Sequence, residues 1–327
     1  MNKRERVRAA FRREPVDRVP IALWRHFPVA DQTAAGLAEA VLAFQRQHDF
    51  DLVKVTPASD YMVVDWGLKG EYRGSAEGVR EVTERPIQSV ADWERLRPLD
   101  PGQGSLGKQL DSLRLIGRDL AGEAPYLQTI FSPLSTARKI GGERWREDLR
   151  SHPHVLHSAL GVIAATTASF ARESRRAGAD GIFFATQTAS RALVSEEEYH
   201  EFGERYDRQV LAAVAGESDV NVLHLHGEQI MFDLAAGYPV AAVNWHDRRT
   251  TPSLREAPGR FPGGLIGGLN ELATLLYGTP QEVAAEVADA IAQTGGRGLM
   301  VGAGCVIRID TPEQSIKAAL SAARGSG

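Results

Sequence analysis

The sequence predicts an α/β protein: a (β/α)8 TIM barrel with an insertion after the second strand, residues 1–327 forming one domain. Three observations carry this. Apolar runs of strand length alternate with helical patterns eight times along 327 residues. Polar residues able to do chemistry gather where those runs end, as they do at the working face of a barrel. No glycine-rich phosphate loop follows the first run, which disfavours an open doubly wound sheet.

Taken in order, residues 2–12 read as a short basic helix stopped at Glu14-Pro15. Val19–Trp24 reads as a first strand. Asp31 is placed to cap a helix running to about His48. Residues 51–57 read as a second strand. A long excursion follows, 58–123, with strand-like pieces at Tyr61–Val64 and Val79–Val82 and a helix near Ser105–Leu115; its length suits a lid or rim. Further strands are expected at Pro125–Phe131, Gly181–Thr186, Val222–His226, Val240–Trp245, Gly264–Leu269 and Gly298–Gly302. Ser195-Glu196-Glu197-Glu198 fits a capping box, and Thr279-Pro280 and Thr311-Pro312 put proline at a helix start. Gly178 and Gly295 stand where helix C-caps belong. After Gly227, the run Glu228–Leu234 looks like the opening of a helix.

Composition narrows the function classes. The chain is 43% hydrophobic with a formal charge of −4, enough for a large core and too balanced to suggest nucleic acid or a membrane surface as partner. One cysteine, Cys305, rules out an intrachain disulfide and fits a reducing, cytoplasmic setting. The most apolar run, around Leu160–Phe170, is broken by threonines and a serine and is too short to span a bilayer.

The stretch with most chemistry is Asn221-Val222-Leu223-His224-Leu225-His226-Gly227. Residues at i and i+2 of a strand share a face, so both imidazoles can converge on one point. Cys305, in the glycine-rich exit of the last strand, can reach them across a small barrel mouth. Two imidazoles and a thiolate suit zinc with one open position; equally, a lone cysteine among glycine and valine is commonly a small buried hydrophobe. Arg25 and His26 follow Trp24 and can hold an anionic group, or Arg25 can pair with a carboxylate on the rim. Asp60 can serve proton transfer or simply turn the chain. Gln187 follows the fourth strand. Trp245 and His246 end the sixth, as a substrate wall or as packing under a loop.

Arg4-Glu5-Arg6-Val7 with Pro15-Val16-Asp17-Arg18-Val19-Pro20, then Gly178-Ala179-Asp180-Gly181, Gly278-Thr279-Pro280-Gln281-Glu282-Val283 and Asp310-Thr311-Pro312, together resemble the uroporphyrinogen decarboxylase superfamily along nearly the whole chain. The resemblance implies a (β/α)8 barrel and one of two chemistries. Cofactor-free decarboxylases hold a tetrapyrrole's carboxylates with arginines and centre an aspartate on its pyrrole nitrogens. Arg25 and Asp60 match the first arginine and that aspartate, whereas Val29, Lys139 and Cys305 stand where the second arginine, a tyrosine and a late histidine belong. The other branch holds zinc-dependent methyltransferases moving a methyl group from a corrinoid protein to a thiol, with a His-x-Cys-Gly motif and a late cysteine. His224-Leu225-His226-Gly227 is similar to that motif with histidine for its cysteine, and Cys305 fits the second; Thr186 stands where some members supply an acidic ligand.

The expectation is therefore a zinc-dependent methyltransferase-like enzyme. His224, His226 and Cys305 bind the metal, Arg25 and Asp60 are catalytic, and Trp24, His26, Gln187, Trp245 and His246 shape the substrate end. The alternatives are the decarboxylase and a non-catalytic barrel that binds a tetrapyrrole or a corrinoid protein. Expected partners are a small-molecule substrate, a corrinoid protein carrying the methyl donor, and a second copy in a homodimer.

Overall fold

The computed structural model describes residues 1–325. Its strands are β1 (Val53–Val55), β2 (Lys69–Glu71), β3 (Glu81–Glu84), β4 (Tyr126–Phe131), β5 (Gly181–Thr186), β6 (Val222–Leu225), β7 (Ala242–Trp245), β8 (Gly264–Leu269) and β9 (Leu299–Ala303). Seven are parallel, in the order β1-β4-β5-β6-β7-β8-β9, which follows the chain as successive crossovers require. Every residue of β5 to β9 is buried. That explains why these strands read as apolar runs and not as alternating patterns: a parallel sheet has both faces covered.

The predicted first strand, Val19–Trp24, is corrected to a single bridge. Ile21 pairs with Val301 of β9, with Ala22 N–H donating to Val301 and Val301 N–H to the Pro20 carbonyl. On its other side Asp51 N–H donates to the Ile21 carbonyl, but Ile21 N–H donates to the Asp51 carboxylate, 2.9 Å. Pro20 has no N–H, and a side chain supplies the next acceptor, so no ladder propagates. The segment nonetheless fills the eighth position and joins β1 to β9, closing the barrel. Asp51 is fully buried and held by Arg6 and Arg18, each at 2.8 Å. Arg6 also binds Asp17 at 2.7 Å. This network seals the end of the barrel where strands begin.

Helix signals held where side chains cap locally. Ser195 and Thr279 form capping boxes with Glu198 and Glu282, and Gly178 and Gly295 have the left-handed φ expected of them. Two expectations failed. Thr33, not Asp31, caps helix Ala34–His48, its hydroxyl accepting from Gly36 N–H, while Asp31 lies in a preceding 3₁₀ turn. Glu228–Leu234 is not helical: its carbonyl and N–H groups bond across to Ser190 and Ala189, and a helix starts only at Leu234. Helix Pro153–Arg176 is, among the described residues, the one long and apolar enough to cross a membrane. Leu156, Leu160, Ile163 and Phe170 on it have no exposure, so it is a core helix of the barrel wall.

The 58–123 excursion contains the antiparallel hairpin β2–β3, with Val79–Val82 only partly in β3, and helix Gly104–Leu120. Tyr61–Val63 is turn and Val64 opens a 3₁₀ helix, so no strand forms there. The hairpin is anchored by Asp60, buried at 2% exposure, whose carboxylate pairs with Arg80 Nε at 3.4 Å.

Candidate metal and substrate cavity

β6 and β7 stand in register with His224 opposite Asn244. Asn244 Nδ2 donates to the Ile266 and Ala303 carbonyls, at 2.9 and 3.0 Å, which fixes its Oδ1 toward His224. That oxygen can only accept, so the 2.7 Å contact places the proton on His224 Nδ1 and leaves Nε2 as a lone pair. His246, the first residue past β7, has its Nδ1 2.9 Å from the Glu271 carboxylate; the same logic frees its Nε2. His226 Nδ1 lies 3.3 Å from His246 Nε2 and 3.7 Å from Cys305 Sγ. Ligand atoms of His224, His226, His246 and Cys305 all fall within 4.8 Å of one another. Gly304 makes this approach possible: a Cβ there would lie 2.8 Å from His246 Cα and 3.0 Å from Glu271 Oε2.

Burial, reinforced by the neighbouring imidazoles, holds His224 well below the ordinary histidine range and His226 at about 4. Both are thus neutral, the form that ligates metal. Burial pushes the Cys305 thiol up to about 11. Burial also works against ionising Glu271, yet hydrogen bonding and attraction from His246, with Arg249 nearby, keep its carboxyl below its usual range. Three nitrogen donors and one sulfur, with two rings oriented by outer partners, fit zinc.

The cluster forms one wall of a cavity of about 390 Å³. Trp24, His26 and Gln187, expected at the substrate end, line it. His26 Nδ1 faces the Pro57 carbonyl at 3.1 Å, and burial lowers its pKa to about 3. His246, expected as a substrate wall, stands within the donor cluster. Trp245 faces the other way, fully buried against Phe232 with its Nε1 donating to the Pro252 carbonyl. Arg25 is not on the cavity wall: its guanidinium lies over Phe27 and Phe44 and donates to the Ile309 carbonyl. Asp60 too lies outside, under the β2–β3 hairpin.

Three residues that sequence reasoning passed over belong to this site, Lys54, Asn244 and Glu271, together with Lys139, which the resemblance put at a tyrosine position of the family. For Lys54 and Asn244 a signal existed, since each interrupts an apolar strand (Val53-Lys54-Val55, Val243-Asn244-Trp245) where a buried polar group needs a reason. Glu271 gave no such signal, and Lys139, on helix Pro133–Gly141, was marked by the resemblance alone.

Fold and cavity define a parallel α/β barrel with a nitrogen–sulfur donor cluster at its strand exits. The family model described as uroporphyrinogen decarboxylase (URO-D) matches residues 2–326, and the chain belongs to that family. Among relatives, the methylcobamide:CoM methyltransferase MtbA of Methanosarcina mazei is 23% identical, the match covering 98% of this chain and 97% of that protein. The uroporphyrinogen decarboxylase of Aliivibrio salmonicida is 25% identical over 96% of this chain and 94% of its own length. A solved methyltransferase structure from Methanosarcina mazei superposes with a TM-score of 0.87 at 20% identity, covering 99% of each chain.

Proposed function

We propose that this protein is a zinc-dependent methyltransferase, moving a methyl group between a corrinoid, carried by a partner protein, and a small thiol. The observation that carries the reading is the convergence of His224, His226, His246 and Cys305 on one point of the cavity wall. The methyltransferase relatives support the reaction class. The decarboxylase alternative draws on Arg25 and Asp60, and neither lines the cavity.

In this reading His224, His226 and Cys305 hold the metal, with His246 beside them. Bound there, zinc would supply a Lewis acid that favours the thiolate form of the acceptor. Asn244 and Glu271 fix ring tautomers, so that lone pairs face inward before anything binds. Trp24, Phe131 and Phe183 give the cavity apolar walls that exclude water from an attacking sulfur. In the transfer a carbon–sulfur bond forms as the carbon–cobalt bond breaks, and the bonding pair stays on cobalt. Segment 58–123 serves as a rim: Ser59, Glu77 and Val79 reach the cavity, and Gly78, at φ +74°, packs where a Cβ would lie 2.6 Å from that of His26.

The test is elemental analysis of protein purified without added metal, with free methylcobalamin and 2-mercaptoethanol as substrates. About one zinc per chain and thiol-dependent loss of methylcobalamin absorbance are expected. Cys305→Ala should lose both while keeping the wild-type circular dichroism. Metal-free wild type with no thiol-dependent turnover would sink the proposal.

A further inference from the structure

The cavity holds a hydrogen-bond acceptor that no other described residue engages. His26, two residues past Trp24 on the segment that closes the barrel, is 7% exposed and lines the cavity. Its Nδ1 lies 3.1 Å from the Pro57 carbonyl, which can only accept, so the ring proton sits on Nδ1 and Nε2 keeps its lone pair. Among the described residues Nε2 has no hydrogen-bond partner, and it is not sealed in the core, so it opens on the cavity. The excursion holds the base of the side chain, since a Cβ at Gly78 would lie 2.6 Å from that of His26. Burial, then repulsion from Lys54 and more weakly from Lys139, outweighs the Pro57 bond and holds the imidazole at about 3, so it is neutral at pH 7. Both lysines line the same cavity, and their charge works against a cationic donor as it works against the imidazolium.

We infer that His26 Nε2 selects the small-molecule acceptor by taking a hydrogen bond from a neutral hydroxyl or amide N–H on its tail. A ligand that fills the cavity without such a donor leaves a nearly buried nitrogen unpaired, and affinity falls for that reason more than for any lost contact area. The discrimination is of the kind a site makes when it is built to meet a polar group: the analogue that lacks the group is rejected because the protein atom is stranded. His26 therefore reads the tail by hydrogen bonding and moves no proton. The donor cluster stands in the same cavity of about 390 Å³, so a small molecule held by its sulfur keeps its tail within these walls. Placing a sulfhydryl on the ligand rests on the methyltransferase reading; recognition of the donor by His26 does not.

Calorimetry and ¹⁵N-histidine NMR on the zinc-loaded full chain separate the two. The probes are 2-mercaptoethanol and 3-mercapto-1-propanol, their methyl isosteres 1-propanethiol and 1-butanethiol, and 1,3-propanediol and propionamide as donors without sulfur. The preference for each hydroxyl thiol over its isostere should be at least about ten-fold greater in wild type than in His26→Phe. His26→Gln, which restores an acceptor oxygen, should recover part of that preference and so guards against a fold defect in the first variant. Among the nine histidines, the Nε2 resonance that His26→Phe removes should be of the unprotonated type in the free protein. It should shift upfield with the hydroxyl thiols and not with the isosteres. If the sulfur-free donors move that resonance and no thiol binds, His26 recognition stands and the thiol acceptor falls. An equal preference in wild type and His26→Phe, or an Nε2 resonance that hydroxyl thiols bind without moving, overturns the inference and leaves the thiol reading standing. Failure of every probe to bind overturns both.

Discussion

At the scale of single residues, the donor cluster is built by what stands behind the ligands. His224 and His246 each spend one ring nitrogen on an acceptor, Asn244 or Glu271, and the other nitrogen is thereby aimed. Glu271 matters twice: it orients His246, and in the proposed metal reading its charge would offset the positive balance that a divalent ion keeps beside neutral imidazoles. Glu271→Gln keeps shape but replaces a carboxylate by an amide that can present N–H to His246. Zinc affinity should fall about 10–100-fold, read by competition with a chromogenic chelator, with little change in thermal midpoint. Unchanged affinity would show that Glu271 only packs. The sequence made the His224–His226 pair legible because strand periodicity fixes a shared face without tertiary knowledge. It could not reveal the aim of His246, which depends on Glu271, 25 residues on and brought there by the β8 exit.

At the scale of elements, the barrel strands were legible from Tyr126 onward, where buried parallel strands alternate with well-capped helices. The first strand was misread because an apolar run containing a proline looks the same whether it pairs along its length or at one residue. What decides is Asp51, whose carboxylate takes the Ile21 N–H and spends its remaining capacity on Arg6 and Arg18. Asp51→Ala would leave two guanidinium groups, one of them buried, without their shared partner and free the closing segment. A loss of about 3–5 kcal/mol is expected, measured by urea unfolding. The Arg18 side is partly exposed, so the lower end of that range applies if water reaches it. A loss below about 1 kcal/mol would mean that the backbone bonds to Val301 alone hold the seam. The edge of the excursion was legible as a long insertion, but its path back over His26 was not, because Gly78 signals only that a close approach is permitted.

Over the whole molecule, charge is distributed so that stability has its own pH dependence, separate from the site. Asp207 on helix Arg205–Ala212 has no exposure and accepts hydrogen bonds from Tyr199 at 2.6 Å and Tyr238 at 2.9 Å. Tyr199 in turn bonds Thr186 at the end of β5, so this cluster ties the outer helical layer to the barrel wall. Burial raises the Asp207 carboxyl to about 7, against which the two tyrosine hydroxyls work only in part. The sign follows from proton counts. Below about pH 4 the carboxyl is protonated in both folded and unfolded chains, and it costs nothing. Between about 4 and 7 the unfolded chain releases the proton while the folded one keeps it, so stability falls as pH rises through that window and is level above it. The span corresponds to roughly 2–4 kcal/mol, of the size of a large single-site effect. Asp207→Asn keeps the shape and the acceptor oxygen and has no proton to lose. Its unfolding free energy, followed by urea titration from pH 4 to 8, should therefore lack that decline and exceed wild type at pH 7.5 while equalling or trailing it at pH 4. Parallel pH profiles for the two proteins would show that Asp207 ionises in the fold as readily as in the unfolded chain.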